Sequence, residues 1–100
     1  MQKVKTFEKI TQYDVISQTE GNICSDMAGE KVMLSIKNGK YYNLGETGGD
    51  IWDMIINPIE VNAIVENLVI QYEVNQEECE GQVLSFLEEL LEQDLIKKSK

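Results

Sequence analysis

The side chains most able to do covalent or acid–base chemistry are Ser17, Ser25, Ser35 and Ser85, the thiols of Cys24 and Cys79, and a large set of carboxylates. The chain holds no histidine, so the commonest proton shuttle near neutral pH and the commonest metal ligand are both missing. The serines have no imidazole to activate them as nucleophiles. Cys24 and Cys79 stand far apart without CxxC spacing, and Cys79 falls on the apolar stripe of a predicted helix, so both are expected as reduced thiols. The carboxylates recur along wet helix faces rather than as a converging pair, and such faces make a poor metal cage. Gly45-Glu46-Thr47-Gly48-Gly49 fits neither the phosphate-loop nor the dinucleotide spacing. The expectation is a chain with no catalytic residue, no metal and no cofactor.

Function must then reside in a surface. Nine basic residues against eighteen acidic ones give a net charge of −9, a field that repels nucleic-acid phosphate and argues against that partner. The segment from Met1 to Lys9 has no apolar signal core, and no run approaches the roughly 20 apolar residues that span a bilayer. A soluble, cytoplasmic protein without a membrane partner is expected. One hundred residues make a single domain, residues 1–100.

The first half reads as strands and the second as helices. Residues 14–19 form a plausible first strand, followed by a loop holding Gly21, Asn22, Asp26 and Gly29. Residues 30–36 alternate, with Val32, Leu34 and Ile36 on one face. Lys40–Leu44 is the next strand, entered through the hairpin signal Asn38-Gly39. A three-residue loop, Lys37-Asn38-Gly39, pairs Leu34 with Tyr42 and Val32 with Leu44, placing four apolar side chains on one buried face; a two-residue turn does not. Ile51, Trp52, Ile55 and Ile56 then mark a helix ended by Asn57-Pro58, in which Gly48 and Gly49 imply close backbone packing. A second helix carries Val61, Ile64, Val65, Leu68, Val69 and Tyr72 at helical spacing. Asn75 and Glu78 resemble a capping box for a third helix over residues 76–93, with Cys79, Val83, Phe86, Leu87, Leu90 and Leu91 on its apolar stripe. Leu95-Ile96 folds back onto the core, and the polar ends, residues 1–6 and 97–100, are expected to be loosely held. Three antiparallel strands followed by three helices make an α+β fold of winged helix-turn-helix type.

A short sheet has two edges, and an edge strand offers unpaired N–H and C=O groups. Lys40–Leu44 is last in the sheet, lacks proline and carries one charge, Lys40. Either a helix or a chain end covers it, or it is open to a guest strand. In the second case the third helix, with Val83, Phe86, Leu87 and Leu90, is the natural second wall, since alternate guest residues point toward it. Tyr41 and Asn43 face the opposite side of the strand, so the backbone of Lys40–Leu44 is the firmest contact. Residues such as Leu34, Tyr42, Leu44, Trp52 and Phe86 are more often plain core than groove.

The ordered set Val32-Met33-Leu34, Gly39-Lys40-Tyr41-Tyr42-Asn43-Leu44, Glu46-Thr47-Gly48 and Ile51-Trp52 resembles the PqqD-like family. So do Ile64-Val65-Glu66-Asn67-Leu68, Tyr72-Glu73-Val74 and the stretch from Val83 to Leu91. The resemblance covers about residues 28–96. It implies a RiPP recognition element, a winged helix-turn-helix domain that binds the leader peptide of a ribosomally made precursor. It further implies that the leader lies antiparallel to Lys40–Leu44, in the groove beside residues 82–90 of the third helix. The implied peptide-binding set is Lys40, Tyr41, Tyr42, Asn43, Leu44, Gln82, Val83, Phe86, Leu87 and Leu90. A chain of this size is similar to the leader-binding proteins of lasso-peptide pathways, whose partners are a leader peptidase and a cyclase. Other free-standing relatives serve the radical enzyme of pyrroloquinoline quinone synthesis. Gly45 stands where the family commonly has Asn, and Glu60 where Thr or Ser often caps the second helix; both departures concern helix starts rather than the groove.

Two other classes deserve comparison. A winged-helix transcription factor would have to present Glu88, Glu89 and Glu92 to phosphate, which is the wrong sign. A stand-alone hydrolase lacks the histidine or metal motif it would use.

Overall fold

Met33 sets the layering of the molecule. In the computed structural model, which describes residues 9–99, its side chain is fully buried, whereas Val32 and Leu34 beside it are half-exposed. The chain runs β1 (Val15–Gln18), β2 (Asn22–Met27), β3 (Glu30–Ser35), β4 (Lys40–Leu44), α1 (Gly45–Met54), β5 (Ile59–Glu60), α2 (Val61–Tyr72), α3 (Gln76–Glu92) and β6 (Ile96–Ser99). Two antiparallel three-stranded sheets form, one ordered β2-β3-β4 and the other β5-β1-β6. The α+β class with three helices is as expected; the strands are more numerous.

The expected loop at residues 22–27 is the strand β2. It pairs with β3 along its whole length, from Asn22 opposite Ser35 to Met27 opposite Glu30. The two residues between, Ala28 and Gly29, both have positive φ, 55° and 84°, the twist that a two-residue hairpin turn needs. The β3–β4 register also departs from expectation. Val32 lies opposite Asn43, Met33 opposite Tyr42 and Ser35 opposite Lys40, so residues 36–39 form a four-residue loop. Buried Ser35 anchors that loop: its Oγ accepts the Asn38 amide at 3.2 Å, and its carbonyl accepts the Gly39 amide at 2.7 Å. Slipping one residue exchanges the faces. Met33 and Ser35 turn inward with Tyr42 and Leu44, while Val32 and Leu34 join Tyr41 and Asn43 on the outer face and Ile36 is exposed.

The C-terminal Lys-rich segment is not loose as far as residue 99. Asp94 takes a left-handed turn with φ 61°, Leu95 and Ile96 are buried, and β6 pairs with β1 from Gln18–Ile96 to Val15–Ser99. Lys98 is held further by the Lys9 carbonyl at 3.0 Å. The expectation for residues 1–6 lies outside the described residues.

The helices follow their apolar spacing. Ile51, Trp52 and Ile55 enter the core with Val61, Ile64, Val65 and Leu68 of α2 and Cys79, Val83, Leu87 and Leu90 of α3. Ile56 does not: α1 ends at Met54, and the chain turns Ile56 into solvent. The Asn75 side chain accepts the Glu78 amide at 3.0 Å, the N-cap expected for α3. The start of α2 at Glu60 has no side-chain cap. Gly48 and Gly49 are buried where other atoms come close. A Cβ on Gly48 would lie 3.0 Å from the Phe86 ring, and one on Gly49 would lie 2.9 Å from Lys31 Cβ.

Candidate functional site

β4 is bonded to β3 on one side, and among the described residues it has no strand on the other. Its free edge therefore presents alternate N–H and C=O groups in extended geometry. α3 runs alongside, its end nearest Tyr42 and its beginning nearest Leu44. At the Tyr42 end the phenol donates to Gln93 Oε1 at 3.2 Å, and Asn38 Nδ2 donates to the Gln93 carbonyl at 3.0 Å. At the other end the Phe86 ring bridges α3 to Gly48 and Leu44. These contacts between α3 and the β4 region are made by side chains, and the β4 backbone edge away from β3 stays without a strand partner among the described residues.

Beside Leu44 the groove deepens into a cavity of about 400 Å³. Its walls come from Leu44, Thr47, Gly48 and Ile51, from Leu68 and Tyr72 of α2, from Val74, and from Glu78, Cys79, Gln82, Val83 and Phe86. Gly48 leaves room in its wall: a Cβ there would lie 3.0 Å from Phe86 Cζ and 3.3 Å from Leu44 Cβ. A second hollow of about 450 Å³ sits away from β4, between Thr19, Ser35, Lys37, Asp94 and Lys97. It also touches the edge strands β2 and β6 through Asn22 and residues 96–98, but its lining mixes both charge signs, so the apolar cavity is the better binding candidate.

The polar groups around the site are held rather than poised. Tyr72 donates to Asp50, which also accepts from Gln71 Nε2 at 3.1 Å. The bond to Asp50, helped by burial, raises the Tyr72 phenol above its ordinary range. Burial raises the Cys79 thiol; burial likewise raises Cys24, opposed by nearby Lys31. Thiols shifted upward are thiols at neutral pH, not nucleophilic thiolates. Both are free. Ser35 and Ser17 are buried in structural contacts, with Ser17 Oγ 3.5 Å from Ser99 Oγ.

The predicted peptide-binding residues divide by position. Leu44, Gln82, Val83 and Phe86 line the cavity. Tyr42 does not line it and is bonded to Gln93 beyond the other end of α3. Lys40 is exposed on the edge strand. Tyr41, 75 % exposed, and Asn43 project from the outer sheet face, so only their backbone adjoins the groove. Asn43 instead donates to Glu30 at 2.9 Å and accepts the Gly45 amide at 2.9 Å. Leu87 and Leu90, at 0 % and 5 % exposure, are buried in the core beneath α3 and do not line the cavity. Sequence reasoning missed Thr47, Ile51, Leu68, Tyr72, Val74 and Glu78 as cavity walls. The paired glycines at 48 and 49 were the available signal, since they mark where a neighbouring side chain comes close.

A family model described as coenzyme PQQ synthesis protein D (PqqD) matches residues 30–96, from the start of β3 to the start of β6. No curated protein matches. Among solved structures, "TbiB1 in Complex with the TbiA(beta) Leader Peptide" matches with a TM-score of 0.75 at 21 % identity, over 84 % of this chain and 98 % of that one. That likeness is one of fold. With the family model covering most of its length, the chain belongs to the PqqD family.

Proposed function

We propose that this protein is a non-catalytic RiPP recognition element. It captures the leader peptide of a ribosomally made precursor as an added strand on β4, and presents the precursor to a leader peptidase and cyclase of a lasso-peptide pathway. The carrying observation is the free edge of β4 running beside an apolar cavity under α3. Backbone hydrogen bonds of about 0.5–1.5 kcal/mol net each supply general affinity. Side chains at alternate guest positions supply the selection. The solved structure with the same fold holds a leader peptide, which supports the same use here. A disordered leader loses about 2–5 kcal/mol on ordering, so micromolar to nanomolar affinity is expected, about −8 to −12 kcal/mol.

A second reading is favoured by the family description itself, which names coenzyme PQQ synthesis. In it the same groove hands a precursor to a radical enzyme instead of a peptidase. Pull-down with each candidate enzyme separates the two. The common step is tested by calorimetry with the precursor's synthetic leader. Heat of binding that a proline scan of its strand segment abolishes is the expected result; no heat and no complex would reject leader binding.

A further inference from the structure

Among the described residues the two sheets end on β2, β4, β5 and β6. β5 is two residues long, β6 carries Lys97 and Lys98, and β4 borders the groove. Short edges and lysines are the usual devices that keep an edge from pairing with another chain. β2 has neither: it runs for six residues with no lysine and no proline. Its single charge, Asp26, lies 3.7 Å from Lys31. Its larger apolar side chains, Ile23 and Met27, are 54 % and 60 % exposed. The ladder fixes which backbone groups of β2 are free. The Ile36 amide donates to the Gly21 carbonyl at 3.1 Å, one step beyond the Asn22–Ser35 pair. Hydrogen-bonded pairs alternate along an antiparallel ladder. Ile23, Ser25 and Met27 therefore exchange bonds with β3, and Asn22, Cys24 and Asp26 aim their N–H and C=O groups away from it.

An antiparallel strand joining this edge must match outward residues with outward residues. A second copy of β2 does so over most of its length in two registers. Centred on Cys24, Ile23 faces Ser25 of the second copy and Met27 faces its Gly21. Centred on Ser25, each Ile23 faces Met27 of the other copy, and each Cys24 faces Asp26. Only the second register closes the exposed apolar residues on one another across the strands, which is what sets register. We propose that β2 pairs with β2 of a second copy in the register centred on Ser25, a two-fold dimer that joins the two sheets into one. Backbone bonds form at each Cys24–Asp26 pair, and an Ile23–Met27 contact lies on either side of the axis. The charge of the chain permits it, since the acidic surplus lies in the helices and Asp26 is held by Lys31. The two β4 edges become the outer margins of the joined sheet, about 24 Å apart at about 4.8 Å per strand, so each copy keeps its groove. A single strand pair is a small contact, of the weak and transient class.

Sedimentation velocity of the full chain, from about 5 µM to about 1 mM, should show monomer passing to dimer with half-association on the order of 100 µM. Asp26→Pro removes an outward amide at a position where an edge strand tolerates proline, and should sediment as monomer throughout. Asp26→Asn, which keeps the amide, should still dimerise. The two Ser25 residues on the axis form a non-hydrogen-bonded pair with Cα atoms about 4.5 Å apart, within disulfide reach. Ser25→Cys should therefore cross-link in oxidised glutathione about ten-fold faster than Ser85→Cys, whose site is exposed on α3. The unaltered chain should not cross-link through Cys24. A chain that stays monomeric to the highest concentration, or Ser25→Cys that couples no faster than Ser85→Cys, overturns the dimer. Rapid coupling of Cys24 in the unaltered chain overturns the register.

Discussion

Glycine shows most plainly how single atoms set this site. Gly48 and Gly49 lie side by side in α1, and each is there for a different neighbour: Phe86 for one, Lys31 for the other. Gly81 in α3 has nothing within 4 Å of where its Cβ would be. Alanine is a better helix former than glycine by about 1 kcal/mol, so open Gly81→Ala should stabilise by about that amount. Gly49→Ala should instead destabilise by about 1–3 kcal/mol, because the new methyl meets Lys31 Cβ, which is fixed to the β3 backbone. Urea unfolding of the two variants checks the opposite signs. Tyr72 offers a second check. Its bond to Asp50 uses the neutral phenol and raises its pKa. The associated stability is present below the ordinary tyrosine value and is lost as pH rises through the raised one. Asp50→Asn should return the Tyr72 transition, followed by ultraviolet difference absorbance, toward the ordinary range.

At the scale of elements, what the sequence made legible is what local chemistry determines. The bounds of β4 follow from the turn residues before it and the helix start after it. The start of α3 follows from Asn75, whose side chain does cap Glu78. The core stripes of α2 and α3 follow from spacing. β2 was hidden because its larger apolar residues, Ile23 and Met27, face outward and are exposed, so burial leaves no alternation to read. The β3–β4 register was hidden because buried polar Ser35 decides it, against the apolar residues Val32 and Leu34 that argued for the other face. β6 was hidden because four residues of mixed polarity form a strand only when β1 is there to pair with them. That pairing predicts a measurable dependence: Ile96, 2 % exposed, should cost about 2–4 kcal/mol when changed to alanine, as read from thermal or urea unfolding. A C-terminus that was merely draped on the surface would show almost none.

At the scale of the whole molecule, the cations sit in the strands, the turns and the ends, while the helices are uniformly acidic. The groove lies between these regions, with Lys40 at one end and Glu46 and Glu78 at the other. Half of the site was legible from residues: the edge strand and the helix wall. The cavity was not, because its walls converge from α1, α2 and α3 only after folding. The account rests on which edge of the sheet receives the guest, and β2 and β4 are both edges of the same sheet. Amide hydrogen exchange, followed by nuclear magnetic resonance with and without the precursor leader, distinguishes them. Alternate amides of Lys40–Leu44 should gain protection on adding leader, while those of Asn22–Met27 stay unchanged. Protection appearing along β2, or a leader that binds without slowing any β4 amide, would contradict strand addition at this groove.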